Sequence, residues 1–246
     1  MSLSVVSGGG SGIGRAAALR LAADGHTVIV VGRRLDALER TAADAPAGTV
    51  IPVSADLGTP DGAESVTALV AARGEAVDGI VAAAGGRGPY GSPDDSLTEL
   101  ARVWQTAFDT NVLTAVLLVE GLVPSLRKPG GAIVLFGSLG VWTPTGMGSY
   151  AGAKGALHGY TAALAKRLGP DGITANMISP GYVPDTEFFG EAGIPASFHE
   201  QLVAQTTLGR PGASDEIASL VSWLVNGNSF TTGQNISANG GAQLLR

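Results

Sequence analysis

The chain has 246 residues, of which 45% are hydrophobic, with a formal net charge of −6 and no cysteine. This length suits one large domain, and the acidic balance argues against nucleic acid or an anionic membrane as a partner. The lack of cysteine excludes disulfides and thiolate chemistry, and no metal site is expected. We find no basic-then-apolar N-terminal segment and no apolar run of about 18 residues, and therefore expect a cytoplasmic protein.

Strand-like and helix-like segments alternate along the whole chain. The apolar pair Val5-Val6 precedes a helix-spaced segment at Arg15–Ala23, and Val28–Val31 is β-branched at every position, as in a strand buried on both faces. The further predicted elements are helix Leu35–Ala43, strand Val50–Val53, helix Ala63–Ala72, strand Gly79–Ala83, helix Leu97–Leu122, strand Ala132–Phe136, helix Tyr150–Leu168, strand Thr174–Ile178, helix Ser214–Leu224 and strand Asn235–Ser237.

This alternation predicts a doubly wound α/β fold of the Rossmann type. It comprises a parallel sheet of about seven strands with helices on both faces. No linker or repeat interrupts the pattern, so residues 1–246 are predicted to form a single domain. In such folds ligands bind beyond the carboxyl ends of the strands.

A glycine cluster, Ser7-Gly8-Gly9-Gly10-Ser11-Gly12-Ile13-Gly14, joins the first predicted strand to the first predicted helix. Glycine allows a tight turn and close approach to a pyrophosphate, whose negative charge meets the free N–H groups of the helix start. The alternative is a plain strand–helix turn, because glycine is frequent throughout the chain. We expect dinucleotide contacts from Gly8, Ser11, Gly12, Ile13 and Gly14.

Two arginines follow the second predicted strand, where an NAD-binding protein offers an acid to the adenosine ribose. A guanidinium binds a 2′-phosphate through paired charge-assisted hydrogen bonds, whereas a carboxylate would repel it. The sequence therefore predicts NADP(H), with Arg33 as the main contact and Arg34 as a weaker one. Alternatively, both are solvated charges ahead of a helix. Asp56 and Leu57, past the third strand, are predicted to bracket the adenine or to form a simple turn.

Tyr150 and Lys154 lie four residues apart at the start of a predicted helix, and so share one of its faces. A free tyrosine has a pKa of about 10, and a nearby ammonium group lowers it. Ser138, at the carboxyl end of a strand, can hydrogen-bond the same substrate oxygen. These three residues predict a phenol that exchanges a proton with a carbonyl or alcohol group near neutral pH.

The ordered set of motifs resembles the single-domain short-chain dehydrogenase/reductase family over essentially the whole chain. Besides the segments above, it includes Asn111, Ser179-Pro180-Gly181, Leu208-Gly209-Arg210-Pro211, Asp215-Glu216-Ile217-Ala218, and Thr232-Gly233-Gln234 through Gly240-Gly241. One departure is Ala82-Ala83, where the family usually has two asparagines, and it implies weaker bracing of the sheet.

The resemblance implies a role for each matching residue. Tyr150 would be the general acid in reduction and the base in oxidation, and Lys154 would hold the nicotinamide ribose and lower the pKa of Tyr150. Ser138 would orient the carbonyl. Asn111 would anchor a water that links Lys154 to solvent, or else is an ordinary polar surface residue. Further cofactor contacts are implied at Ala84, Gly85, Tyr150, Lys154, Pro180, Gly181 and Val183.

The segment 182–208 is long and irregular where the family has a substrate-binding lid. Phe188, Phe189 and Phe198, with Trp142 from the loop after Ser138, suggest an apolar substrate pocket, although packing of the lid onto itself is the alternative. We expect a moderately apolar ketone or aldehyde as the small-molecule substrate.

Three other functions stay open. The first is a ketoreductase acting on carrier-bound 3-oxoacyl or polyketide-like chains; the others are a non-catalytic NADP-sensing protein and a sugar-nucleotide epimerase or dehydratase. The resemblance also implies a homotetramer. A homotetramer would need helices of different chains to approach closely, and the small side chains of the Tyr150 helix would permit this. These side chains are Ala151, Ala153, Ala156, Ala162 and Ala163.

Overall fold

The structure is a computed structural model that describes residues 2–89, 91–92, 94–143, 148–184, 186–190 and 193–244. Over these residues seven parallel strands form one sheet in the order β3-β2-β1-β4-β5-β6-β7. The strands are β1 (Ser2–Ser7), β2 (His26–Gly32), β3 (Val50–Ser54), β4 (Val77–Ala82), β5 (Ala132–Phe136), β6 (Thr174–Pro180) and β7 (Asn235–Ala238). The predicted doubly wound Rossmann fold is confirmed.

The strand order places the crevice of the sheet between β1 and β4. The chain runs outward from β1 to β3 on one side and from β4 to β7 on the other, so the two connections leave in opposite directions at this point. Ligands of doubly wound sheets bind at such a switch point, beyond the strand carboxyl ends. The glycine cluster follows β1 there.

Helices cover both faces of the sheet and divide the core into two layers. One layer packs α1 (Gly12–Ala23), α2 (Leu35–Ala43) and α8 (Ser214–Ser222) on the sheet. The other packs α3 (Pro60–Arg73), α5 (Thr114–Leu122) and α6 (Gly148–Leu168). Strand residues such as Val5 and Val6 alternate between the two layers, which is why β1 is apolar at consecutive positions.

The long helix predicted at Leu97–Leu122 contains a π-helical turn. Asp109–Leu113 separates α4 (Leu97–Phe108) from α5. By length and composition alone the segment Leu97–Ser125 could cross a membrane. Here α4 packs against α6, and α5 packs against α3 and β4, so the segment forms part of the helical layer.

The lid segment, residues 182–208, is more regular than its sequence predicts. It contains a 3₁₀ turn at Glu187–Phe189 and a helix, α7 (Ala196–Ala204), while residues 185, 191 and 192 lie outside the described part of the chain. None of the residues of α7 is buried. The expectation of an irregular segment was wrong because α7 has no buried apolar face, and its sequence therefore lacks the regular spacing of apolar residues that predicts a helix.

Candidate active site

The glycine turn after β1 can hold only very small residues at two positions. Gly8 has φ +66°, and a Cβ there would lie 3.0 Å from the backbone of Ala83; a Cβ on Gly14 would lie 2.3 Å from the carbonyl oxygen of Gly8. Ser11 precedes α1 without capping it with its side chain. The helix therefore begins with backbone N–H groups that are available to an anion.

Two adjoining clefts lie along the carboxyl ends of the strands. The catalytic cleft, of about 550 Å³, contains Tyr150, and the distal cleft, of about 660 Å³, contains Arg33. The residues that line both clefts are Gly8, Ser11, Ala84, Gly85 and Glu187. Because they share a wall, the clefts form one groove long enough for an extended ligand.

Almost all of the predicted site residues line this groove. Those in the catalytic cleft, besides the shared ones, are Gly12, Ile13, Gly14, Ser138, Tyr150, Lys154, Pro180, Gly181, Val183, Phe188 and Phe189. Those in the distal cleft are Arg33, Arg34, Asp56 and Leu57. Asn111 and Trp142 line neither cleft.

Tyr150, Ser138 and Lys154 meet at the floor of the catalytic cleft. Ser138 Oγ accepts from the backbone N–H of Gly140 at 3.0 Å, and its hydroxyl is placed to hydrogen-bond the phenol of Tyr150. Lys154 Nζ lies 6.0 Å from the centroid of the Tyr150 ring and donates to the carbonyl oxygen of Phe136 at 3.0 Å. A carbonyl oxygen bound in this cleft could therefore accept hydrogen bonds from the hydroxyl groups of Tyr150 and Ser138.

The pKa values of these groups differ from the sequence-based expectation. Burial raises the pKa of Tyr150 above its ordinary value, and the hydrogen bond to Ser138 offsets this only in part. Burial also lowers the pKa of Lys154 to about 8. The expected lowering of the Tyr150 pKa is therefore not found in the protein alone, because loss of water destabilises the phenolate more than the hydrogen bond to Ser138 stabilises it.

Asn111 is buried rather than on the surface. It is 1% exposed within the π-helical turn, its Oδ1 accepts from the N–H of Gly86 at 3.1 Å, and its Nδ2 donates to the carbonyl oxygens of Gly86 and Ala107. The side-chain amide thus clamps the loop that follows β4. Gly85 lies between this amide and Lys154, since a Cβ on Gly85 would be 2.8 Å from Asn111 Oδ1 and 3.1 Å from Lys154 Nζ.

The loop after β4 is braced in spite of the alanines at 82 and 83. The hydroxyl of Ser7, at the end of β1, accepts a hydrogen bond from the N–H of Ala84 at 3.0 Å. Ala82 itself is buried among the apolar side chains of the sheet. The serine hydroxyl and the Asn111 clamp therefore fix this loop from two sides.

The two arginines of the distal cleft have different surroundings. Arg34 Nη2 lies 2.6 Å from Oε2 of Glu187 in the lid segment, and this ion pair raises the pKa of Arg34. Among the described residues Arg33 is an exposed side chain without an ion pair. Asp56 Oδ1 accepts from the N–H of Gly58, so it also stabilises its own turn. Leu57 is buried beneath the cleft.

Aromatic side chains of the lid segment pack towards Tyr150. The ring of Phe188 lies 5.4 Å from that of Tyr150, and Phe189 packs between Phe188 and Tyr182. Trp142, predicted as a substrate contact, lies outside both clefts, where its ring is edge-on to His158 and 54% exposed. Phe198, on α7, also faces outward.

The groove residues that sequence reasoning did not assign include Arg87, Thr186, Glu187 and Gly190. Arg87 directly follows the glycines after β4, and this position in the sequence could have identified it as a residue of the groove. The other three belong to the lid segment, whose conformation follows from contacts with distant parts of the chain.

The groove fits a nicotinamide dinucleotide. Its glycine turn has no room for a Cβ at Gly14, its first helix begins without a side-chain cap, and its two clefts are continuous. Fold and site together define a dinucleotide-dependent oxidoreductase of the Rossmann class.

Comparison with known proteins gives the family. A family model described as "Enoyl-(Acyl carrier protein) reductase" matches residues 8–243. The chain is similar to the short-chain reductase protein NovJ of Streptomyces niveus, with 33% identity over 98% of this chain and 93% of NovJ. It is also similar to the 3-oxoacyl-[acyl-carrier-protein] reductase FabG of Pseudomonas aeruginosa, with 30% identity over 97% and 96% of the two chains.

A solved structure agrees with this assignment. The short-chain dehydrogenase/reductase (glucose/ribitol dehydrogenase) of Brucella melitensis superimposes with a TM-score of 0.88, 27% identity, and coverage of 99% of this chain and 97% of that chain. The protein belongs to the short-chain dehydrogenase/reductase family. It is an oxidoreductase of a family that uses a nicotinamide cofactor, NAD or NADP.

Proposed function

We propose that the protein reduces a ketone or aldehyde with NADPH, with Tyr150 as the general acid, and catalyses the reverse oxidation with NADP⁺. The observation that carries this proposal is the buried side chain of Tyr150, which lines the catalytic cleft together with Ser138 and Lys154. A phenol with a raised pKa keeps its proton at neutral pH and can donate it to a carbonyl oxygen.

The chain's own residues have distinct tasks in this reaction. Tyr150 holds the proton that the substrate oxygen receives, and Ser138 orients that oxygen through a second hydrogen bond. Lys154, charged below a pH of about 8, would bind the nicotinamide ribose and favour the negative form of the phenol during oxidation. The bound nicotinamide supplies or accepts the hydride. Phe188 would cover the reacting centre and exclude water from it.

The preference for NADP(H) is proposed from the distal cleft. Arg33 faces no ion-pair partner among the described residues and follows a strand that ends without an acid. Its guanidinium could therefore bind a 2′-phosphate bidentately. Arg34 would take part only after it leaves Glu187.

The test measures the dissociation constants of NADPH and NADH for the native protein and for Arg33→Ala. We expect the native protein to bind NADPH at least tenfold more tightly, and Arg33→Ala to lose most of this preference without weakening NADH. Arg40→Ala removes an arginine that pairs with Asp36 on the same helix and lines neither cleft, and it serves as the control. Equal affinities of the native protein for both cofactors would contradict the proposal.

The carrier-bound ketoreductase is the second candidate. The family model described as an enoyl-(acyl carrier protein) reductase and the similarity to FabG favour it, whereas the net charge of −6 disfavours an acidic carrier. The rates with a 3-oxoacyl group on an acyl carrier protein and on a small thioester discriminate between the two. A carrier that raises kcat/KM by tenfold or more would support this candidate.

We also propose that the protein is a cytoplasmic homotetramer. The acidic charge and lack of cysteine support the location. The assembly is supported by exposed small side chains of α6, namely Ala156, Ala162 and Ala163. It is also supported by exposed Leu97 and Trp104 of α4, the helix that packs beside α6. Ala153, one of the residues predicted for the contact, is fully buried within the chain.

A further inference from the structure

Phe188 covers the ring of Tyr150 in the catalytic cleft. The centroids of the two rings lie 5.4 Å apart at an interplanar angle of 58°, and rings in direct contact have centroids about 4.5–7 Å apart. No substituent of a ligand fits between two rings at this distance. Phe188 is partly buried and Tyr150 is 5% exposed, so the side of the Tyr150 ring that faces the lid segment is closed.

The short turn that carries Phe188 is anchored on both sides of this residue. Glu187 forms the ion pair with Arg34 of the loop between β2 and α2. Phe189 packs edge-on against Phe188, with ring centroids 5.1 Å apart. The N–H of Gly190 donates to the carbonyl oxygen of Glu187 at 3.0 Å and closes the turn. Phe188 therefore lies in a turn with a defined conformation.

Tyr182 and His199 connect this turn to the sheet. The Tyr182 ring packs edge-on against Phe189 and against His199, with centroids 5.5 Å apart in both pairs. Tyr182 Oη is also hydrogen-bonded to His199 Nδ1 at 2.7 Å. Tyr182 is buried and lies two residues past the end of β6. The lid cluster, which comprises Tyr182, Phe188, Phe189 and His199, thus holds Phe188 in position before a substrate binds.

We propose that Phe188 determines substrate specificity by limiting the carbonyl substituent that faces it, so that the substrate is a methyl ketone or an aldehyde. This inference rests on the proposed function. A carbonyl oxygen that receives the proton of Tyr150 brings both substituents of its carbon next to the Tyr150 ring. A hydrogen atom or a methyl group needs the least space there, whereas a branched substituent has to displace Phe188 from its contacts with Tyr150 and Phe189. Tyr182 and His199 are positioning residues for Phe188.

The test compares Phe188→Ala with the native protein on ketones that differ in one substituent. Methyl ketones of increasing chain length are ranked with NADPH, and the best of them is compared with its isopropyl analogue. We expect the native protein to prefer the methyl ketone. Phe188→Ala should raise the ratio of kcat/KM for the isopropyl ketone to that for the methyl ketone by tenfold or more, because one methylene in a tight apolar site already changes kcat/KM by about tenfold. The intrinsic reactivities of the two ketones cancel when this ratio is compared between the two proteins.

Phe198→Ala is the matched control, because Phe198 is a phenylalanine of the same lid segment that is 44% exposed and lines neither cleft. It should leave the ratio unchanged. A ratio that rises by less than tenfold in Phe188→Ala would overturn the inference, as would a native preference for the isopropyl ketone. Circular dichroism and NADPH binding show whether Phe188→Ala is folded; if it is not, Phe188→Leu, which keeps an apolar but smaller side chain, decides the question by the same ratio.

The positioning role of His199 has its own readout. His199→Ala removes the partner of Tyr182 and should raise the same ratio by threefold or more, with kcat for the methyl ketone almost unchanged. His199→Asn keeps a hydrogen-bonding group near the place of Nδ1 and should restore the native ratio. An unchanged ratio in His199→Ala, or an equal loss of kcat/KM for both ketones, would overturn this role.

The outcomes separate this inference from the proposed function. If the native protein reduces no carbonyl compound with either cofactor, the proposed function fails, and this inference fails with it. If the native protein reduces ketones and the Phe188→Ala ratio does not rise, this inference fails alone.

Discussion

The central residue is Tyr150, whose side chain is buried in the catalytic cleft beside Ser138. We expect Tyr150→Phe to lower kcat by a thousandfold or more, because the substrate oxygen loses its proton donor, while NADPH binding changes little. Stopped-flow turnover and NADPH fluorescence titration measure the two quantities. Tyr160→Phe removes the hydroxyl of another α6 tyrosine, which is bonded to Glu120 outside both clefts, and should leave kcat unchanged. More than a tenth of the native kcat in Tyr150→Phe would contradict the assigned role.

We expect Lys154 to lower the free energy of unfolding of the protein, although the proposed reaction needs this residue. Its pKa falls from 10.5 to about 8 on folding, so the folded state holds fewer protons than the unfolded state between these values. The free energy of unfolding should therefore rise as the pH increases from about 8 to 10.5. At pH 7 a shift of this size corresponds to about 3 kcal/mol of lost stability.

Lys154→Met keeps the length of the side chain and removes its charge. We expect this variant to be inactive, at least as stable as the native protein at pH 7, and without the extra gain in stability above pH 8. Urea denaturation of both proteins at pH 7, 8.5 and 10 gives the three free energies of unfolding. A less stable variant whose pH dependence matches that of the native protein would contradict this account of Lys154.

At the scale of elements, the lid segment is tied to the loop between β2 and α2. The ion pair of Arg34 with Glu187 joins residues 153 positions apart and lies where the two clefts meet. Both side chains are more than half exposed, so the pair contributes little to global stability. It is placed to affect how the cofactor enters and leaves.

We expect Glu187→Gln to increase both the association and the dissociation rate constants of NADPH severalfold. The reason is that the lid segment loses its ion pair with Arg34 and is no longer held to the loop between β2 and α2. Stopped-flow fluorescence measures the two rates. Glu200→Gln, an exposed carboxylate of α7 that lines neither cleft, is the control. Unchanged rates in Glu187→Gln would show that the ion pair does not restrain the lid segment.

At the scale of the whole molecule, the prediction concerns assembly. A homotetramer has about four times the 24.6 kDa mass of one chain. We expect Ala163→Glu, on the exposed face of α6, to lower this mass, because a bulky charge would be buried between closely packed helices. Light scattering after gel filtration measures both proteins, with Glu75→Gln as a surface control. A native mass of one chain would contradict the proposal.

The sequence alone predicted the fold and the floor of the site. Strand and helix bounds agree within a few residues for every predicted element, because β-branched runs and helical spacing are local patterns. The glycine turn, Ser138, Tyr150 and Lys154 were found for the same reason, since each follows a strand or opens a helix. Helix α7 and the π-helical turn at Asp109–Leu113 were missed because neither has a distinct local pattern.

What only the tertiary structure decided depends on contacts between distant segments. The raised pKa of Tyr150 follows from its burial, and the amide of Asn111 binds a loop 25 residues away. Trp142 lies against His158 and outside the cleft, whereas Arg87 lines it. Local sequence patterns report secondary structure and the order of chemical groups. The direction of a side chain, its solvation and its partners are set when the whole chain packs, and these decide its pKa and its ligands.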